Sequence, residues 1–428
     1  MLKKSDVIEK ISKGELDDSL KYLYCSNDDV SFYRERLLGL IDGYGEIFGE
    51  TDEISLFSAP GRTEIGGNHT DHQHGCIIAG SVNLDVIAAV SFNNENVVRI
   101  KSKGYPMDEI DLNDLDIHEE EYDKAISLIR GVLKRFNDMG YALKGFNAYT
   151  ESNVMKGSGL SSSAAFEVLV GTIANHLFAN SEVNPVEIAK IGQYAENVYY
   201  NKPSGLLDQM ASSVGAVVAV DFEDNSAPVV KKVDFDLNKF DHSLCIIDSG
   251  ADHAELTGEY AAVTEEMRLI SDYFGKNYLR EVSKADFIAQ MKNIREKIHN
   301  DRAVLRAIHY FNDSDRAVAE TKAIETGDFE KFCSLVKESG RSSFMYLQNV
   351  YASSMPKSQA VSLTLALCDE FLGERGAYRV HGGGFAGTVQ AFVPNDMIDD
   401  FKAKIESVLG EGMCYILSIR PTGGYRFI

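Results

Sequence analysis

The sequence predicts an α+β protein of two lobes that share a cleft. Three observations lead there: the length, the alternation of strand-like with helical segments, and the lack of any repeat or proline-rich linker. A chain of 428 residues exceeds the usual size of a single hydrophobic core, so two lobes are expected. The first 48 residues read as helices, because Val7, Ile8, Ile11, Leu16, Leu20 and Leu23 recur at three- and four-residue steps, as do Phe32, Leu37, Leu40, Ile41, Tyr44 and Phe48. Strand-like segments follow from Ile54 onward: ISLFSAP, CIIAGSVNLDVIAAVSF and VVRIKSK are rich in β-branched residues and bounded by Gly, Pro and Asn. Beyond them FNAYTES leads through a Gly/Ser loop into the apolar run SSSAAFEVLVGTIANHLF, and 185–200 and 301–337 read as helices. The division drawn from this pattern is a helical extension over 1–48, a first lobe over 49–230 and a second over 231–428.

Composition narrows the function classes. The apolar fraction of 44% with 25% charged residues is an ordinary globular balance. No run of 18 apolar residues occurs and the opening MLKKSDVIEKISKGELDDSL lacks an apolar signal core, which predicts a soluble, cytoplasmic protein with no membrane partner. Six scattered cysteines without a C-x-x-C pair suggest neither a disulfide framework nor a thiolate zinc site. A formal net charge of −22 argues against nucleic acid as a partner, because phosphate backbones are held by excess Lys and Arg. A nucleotide bound by so acidic a chain needs backbone amides, a metal ion and a few placed cations.

The sharpest local signal is Gly157-Ser158-Gly159-Leu160-Ser161-Ser162-Ser163, lying between a strand-like and a helical segment. Glycines bring backbone amides close to phosphate oxygens, and the N–H groups at a helix start favour an anion. The serines add hydroxyls able to bond phosphate or magnesium. An ordinary Ser/Gly loop capping the helix is the competing reading. A P-loop is excluded, since no Lys follows at the required position, and the G-x-G-x-x-G match at Gly382, Gly384 and Gly387 precedes a strand-like segment rather than a helix, which disfavours a dinucleotide site.

Three elements in order then resemble the galactokinase branch of the GHMP small-molecule kinases. They are Ala59-Pro60-Gly61-Arg62-Thr63-Glu64-Ile65-Gly66-Gly67-Asn68-His69-Thr70-Asp71, the Gly/Ser loop, and Gly382-Gly383-Gly384-Phe385-Ala386-Gly387-Thr388. Between them Glu196 and Ser204-Gly205-Leu206-Leu207-Asp208-Gln209-Met210 resemble the family's magnesium-binding Glu and catalytic Asp-Gln element. The resemblance covers residue 50 to the end and implies a two-lobed GHMP kinase fold, with a mixed-sheet first lobe, an α/β sandwich second lobe and the active site in the cleft between them. It implies transfer of phosphate from ATP to the anomeric C1 hydroxyl of galactose. Asp208 is then the base and Arg62 its charge partner. The sugar is held by Asn68, His69, Asp71, Gly205 and Tyr260, ATP by Gly157 to Ser163, and magnesium by Ser163 and Glu196.

The match departs from the family within the sugar turn, where Asp71-His72-Gln73 also resembles the plant galacturonokinase version more than the common Asp-Tyr-Asn. Asn68 stands where the family has a Glu facing the sugar's 6-hydroxyl, and Glu64 stands where it usually has an Asn. Loss of a carboxylate from the wall would admit a C6 carboxylate, which makes galacturonate an alternative substrate. A non-catalytic sensor of sugar and ATP is a second alternative, opposed by the intact Arg62, Asp208 and Glu196. The cluster His69-Thr70-Asp71-His72-Gln73-His74 also admits a metal-site reading, because imidazole and carboxylate are common ligands.

Overall fold

Alternating side chains of the strand-like segments are apolar on both parities, so a sheet built from them needs cover on both faces. The structure, a computed structural model, describes residues 1–26, 29–154, 159–202, 204–251 and 256–428. Two long strands, Glu53–Gly66 and Cys76–Phe92, form its antiparallel backbone, with register shifts between Pro60 and Arg62 and between Glu64 and Gly66. The shifts bend the pair, and each end recruits different neighbours. Val86–Phe92 pairs with Phe146–Ser152, which continues into Val97–Ser102 and Met107–Asp111, whereas Cys76–Gly80 pairs with Val217–Asp221 and its hairpin partner Val229–Val233.

Period two decides which helices cover which face. Ile54, Leu56, Ile87, Ala89 and Tyr149 pack under the amino-terminal helices Lys4–Ser12, Asp17–Tyr24 and Ser31–Phe48. Phe57, Ala59, Ala88, Val90, Phe146 and Ala148 face the opposite core, with Ala125–Asp138, Ser162–Phe178 and Pro185–Tyr194 above them. The amino-terminal helices are thus one layer of the first lobe. They are bolted to it by Asp85, which is fully buried and takes Tyr24 Oη at 2.7 Å, the Ser58 hydroxyl, Arg36 and, at 3.2 Å, Arg420.

The second sheet runs Ala377–Val380, Thr388–Pro394, His242–Asp248, Cys414–Leu417, all antiparallel. Ala360–Leu372 and Ile398–Leu409 cover one face. Phe329–Ser342 covers the other, where Phe332, Leu335 and Val336 join the core of the first lobe without a break. Position 230 falls inside the strand Val229–Val233 of the first sheet, and Tyr425–Arg426 at the far end of the chain returns to pair with Ser58 and Phe57. The helix expected over 301–337 is two, Asp301–Glu325 and Phe329–Ser342, parted by Gly327 at φ 71° and by the Asp328 carboxylate, which caps the second helix at Lys331 N. The segment 185–200 is helical only to Tyr194 and then widens into a π turn over Ala195–Tyr199.

Candidate active site

Arg62 follows the first bulge of the bent strand, and Gly61 makes the approach there possible. A Cβ at Gly61 would lie 2.8 Å from the Leu160 carbonyl oxygen, the same oxygen that accepts Arg62 N–H at 3.0 Å. The Gly/Ser loop therefore rests directly on the strand. Arg62, only 8% exposed, donates Nε–H to Asp208 Oδ1 at 2.7 Å and Nη1–H to the Gly159 carbonyl. Asp208 stands in the first turn of Leu207–Val214, receives the Ser161 hydroxyl on its second oxygen and keeps its side chain one-third exposed. Burial alone would raise its pKa, but the charge and hydrogen bond of Arg62, with smaller help from Ser161 and Lys202, hold it below the ordinary carboxylate value.

Ser161 has left-handed backbone, φ 55°, and opens the helix Ser162–Phe178 without capping it, since its hydroxyl is spent on Asp208. No side chain caps that helix among the described residues, and the capping reading of the loop finds no support. A positive helix end with uncapped amides therefore lies beside the Arg62–Asp208 pair. Gly157 and Ser158 lie outside the described residues; Gly159, Leu160, Ser161, Ser162 and Ser163 are placed as a run leading into the helix.

One turn along, Ser163 Oγ lies 3.5 Å from Glu196 Oε1. Glu196 is 3% exposed and aimed by the π turn, a device that rotates side chains out of the ordinary helical sequence. Its oxygens also receive Lys202 Nζ at 2.7 Å, Ser204 Oγ at 2.7 Å and Gln209 Nε2 at 2.8 Å. Gln209 Nε2 bridges to Glu167 Oε2 at 2.9 Å, and burial, followed by the charge of Glu196, pushes the Glu167 carboxyl well above its ordinary pKa. A carboxylate and a hydroxyl so close are hard oxygen donors of the kind magnesium takes.

The turn after the strand is shaped by Gly67 at φ 82°, where a Cβ would come within 2.4 Å of the Cys76 carbonyl oxygen, and by Thr70, whose hydroxyl is buried against the Gly67 and Cys76 carbonyls. Asp71 abuts Gly205: a Cβ on Gly205 would sit 2.0 Å from Asp71 Oδ2. Burial, then the charges of Glu64 and Asp208, push Asp71 up to about 6. His69 Nε2 meets the Gly383 carbonyl at 3.0 Å, and Tyr260 Oη donates to the Gly384 carbonyl at 2.9 Å while its ring lies edge-on to Phe385. Both expected sugar contacts are therefore braced by the carboxyl-terminal glycine loop, and Gly383 is glycine because a Cβ would strike the Tyr260 ring at 2.6 Å. The imidazoles of the His69–His74 cluster do not converge on one ion. His74 stacks on Tyr278 at 3.7 Å and bonds Asn225, His69 serves Gly383, and both ring nitrogens of His72 are buried without a hydrogen-bond partner among the described residues.

Asn68 corrects the sequence reading. It is fully buried, and its amide is consumed internally: Nδ2 donates to Glu64 Oε1 at 2.8 Å and to the Gly382 carbonyl at 2.7 Å, while Oδ1 accepts from Asn349 at 2.9 Å and Ser343 at 3.4 Å. Glu64 in turn holds Arg379, fully buried, at 2.7 Å. The carboxylate that the motif lacks at position 68 thus stands four residues earlier, neutralised by Arg379, and the amide faces it. Asn68 does not line the sugar wall, and the case for a uronic acid built on it loses its basis. Arg379, Asn349, Lys202 and Glu167 were missed by sequence reasoning. Arg379, Lys202 and Glu167 lie inside or beside quoted motifs, whereas Asn349 carries no local signal.

Comparison with known proteins agrees with this geometry. The family described as GHMP kinases N terminal domain matches residues 127–216, and the galactokinase galactose-binding signature matches 42–92. A galactokinase of Glaesserella parasuis is 28% identical over 368 residues, covering 84% of this chain and 90% of its own length, and one of Lactococcus lactis subsp. lactis is 27% identical over 385 residues, covering 89% and 93%. The crystal structure of Lactococcus lactis galactokinase complexed with galactose superposes with a TM-score of 0.77 at 24% identity, covering 91% of this chain and 99% of that one. A mevalonate kinase follows at 0.58 and 14% identity, covering 85% and 99%. Residues 127–216 thus match a GHMP kinase N-terminal domain, and the fold is that of the GHMP kinases. The galactose-binding signature over 42–92 and the relatives named above are those of galactokinases, which this chain resembles.

Proposed function

We propose that this protein transfers the γ-phosphoryl group of ATP to the C1 hydroxyl of galactose, giving galactose 1-phosphate and ADP. One observation carries the reading: an ionised Asp208, clamped by Arg62 and Ser161, faces the same space as a helix start that no described side chain caps. Phosphoryl transfer asks for in-line placement and charge stabilisation more than for covalent help from the protein. The amides and hydroxyls of 159–163 hold the phosphates at the helix end. The C1 oxygen bonds to the γ-phosphorus, the bridging P–O bond breaks with its electron pair leaving on ADP, and the hydroxyl proton passes to Asp208. Arg62 keeps Asp208 ionised and stabilises the charge that spreads over the transferring group. Ser163 and Glu196 would hold magnesium, which would neutralise phosphate charge when bound with ATP. His69, Asp71, Gly205 and Tyr260 form the sugar wall. The enzyme is placed in the cytoplasm, where ATP is available.

Release of ADP by purified protein given galactose, galacturonate, N-acetylgalactosamine, glucose or mevalonate tests the reading. Galactose is expected to turn over fastest. Turnover of galacturonate without galactose would overturn the substrate, and sugar-dependent ATP binding without turnover of any of them would mark a sensor instead.

A further inference from the structure

Lys202 is placed where the proposed chemistry has no assigned use for it. Its ammonium lies 2.7 Å from Glu196 Oε1, the oxygen that also faces Ser163 Oγ, and its backbone N–H donates to the Glu196 carbonyl at 3.1 Å. The carboxylate it neutralises is buried, yet the Lys202 side chain is 55% exposed. A buried anion is therefore held by a cation with a free stem. Among the described residues the other three donors to Glu196, from Ser163, Ser204 and Gln209, are neutral. Arg62, the cation across the site, is committed to Asp208 and the Gly159 carbonyl.

We propose that Lys202 is a transferable cation of the nucleotide site. With no nucleotide bound it neutralises Glu196; when ATP enters it swings to a phosphate oxygen and leaves Glu196 Oε1 to the divalent ion. The inference rests on the kinase reading above. Its reason is electrostatic: an ammonium and a divalent cation on one carboxylate oxygen repel each other, and a triphosphate at the helix end gives the displaced ammonium a new anion. Lysine suits the task because it is a compact charge on a flexible four-carbon stem, where arginine's fork would be bound to one geometry. Lys202 and magnesium then compete for Glu196, while magnesium and ATP assist one another.

Calorimetric titration of ATP into wild type, Lys202→Met and Lys202→Arg, first with chelator and then across a magnesium series, separates these effects. Loss of a hydrogen bond to a charged group predicts about tenfold or weaker metal-free ATP binding in Lys202→Met. Titration of magnesium alone, without nucleotide, should show tighter binding to the same variant than to wild type, since Glu196 is already vacant. Lys202→Arg, which keeps the charge but not the compact head, should fall between wild type and Lys202→Met in metal-free affinity and serves as the comparison if the methionine variant misfolds. Metal-free ATP affinity unchanged within twofold in Lys202→Met, or nucleotide-free magnesium binding no tighter than in wild type, overturns the proposal. If wild type shows this binding pattern but phosphorylates no sugar, the kinase reading falls and Lys202 stands; if wild type turns over galactose and Lys202→Met binds ATP as wild type does, only the Lys202 proposal falls.

Discussion

Replacing Asp208 with Asn changes one oxygen for an amino group inside a contact set that remains nearly satisfied. The Asn carbonyl can still accept from Arg62 Nε, and its amide can donate to the Ser161 hydroxyl, so the fold and the loop position are expected to survive. What disappears is the negative charge and the proton acceptor. A positioned base contributes about 10² to 10⁴ in rate, or roughly 2.7–5.4 kcal/mol of barrier at 1.36 kcal/mol per tenfold. Because Arg62 holds the carboxyl below its ordinary pKa, Asp208 is a weak base whose proton is taken late, and its charge beside Arg62 matters as much as its basicity. The measurement is steady-state kcat and KM for galactose, with sugar affinity followed separately by calorimetry. A kcat loss of two orders of magnitude or more with sugar affinity within about threefold is expected. A loss smaller than tenfold would refute the assignment of the base, and a collapse of sugar affinity with kcat intact would move Asp208 to the binding wall.

Three further outcomes follow from neighbouring groups. Asp71 is pushed up to about 6, so lowering the pH through that value protonates it and removes acceptors for sugar hydroxyls. kcat/KM for galactose should therefore fall about tenfold per unit below pH 6 as one proton is taken up, and Asp71→Asn should erase this limb from a lower plateau; a limb that persists in the variant assigns it elsewhere. Glu64→Gln leaves the buried Arg379 without its carboxylate, a loss of about 3–5 kcal/mol in urea unfolding, and the paired exchange Glu64→Asn with Asn68→Glu should recover at least 1 kcal/mol relative to the sum of the single changes. Strict additivity would show that the two side chains do not act as a pair. Asp85→Asn strips charge from a carboxylate bound by two buried guanidinium groups, Arg36 and Arg420, and should cost about 3–5 kcal/mol, whereas a change below 1 kcal/mol would mean the amino-terminal layer is held by its apolar contacts alone.

The parts of the site legible in the sequence are those whose chemistry is local. Gly61, Gly67, Gly205 and Gly383 stand where backbone or side chain comes too close for a Cβ, so their spacing in motifs reports geometry directly. The apolar stripes of the amino-terminal helices were legible for the same reason, although Phe32 at the end of one stripe is 63% exposed. Asn68 was misread because a motif position says which residue type is present and not which way it faces; its partners Asn349 and Gly382 lie 281 and 314 positions away. The pairing of Lys202 with Glu196 depends on a π turn, and an extra residue in a helical turn leaves no mark on hydrophobic period. The helix expected over 301–337 ran through Gly327 and Asp328, a glycine stop and an aspartate cap that end one helix and open the next.

The strand Glu53–Gly66 has a further consequence for how the protein is made. Its edge is completed by Leu2–Lys3 beside Glu53 and Ile54 and by Tyr425–Arg426 beside Phe57 and Ser58, and Asp85 waits for Arg420, which is 335 positions further on. At about 5–20 residues per second a ribosome needs roughly 20–70 s to cover that distance. Throughout that interval the nascent first lobe carries an unfilled sheet edge and a carboxylate short of one cation. Chaperone contact during synthesis is expected to concentrate on this lobe and to end only when the final strand emerges.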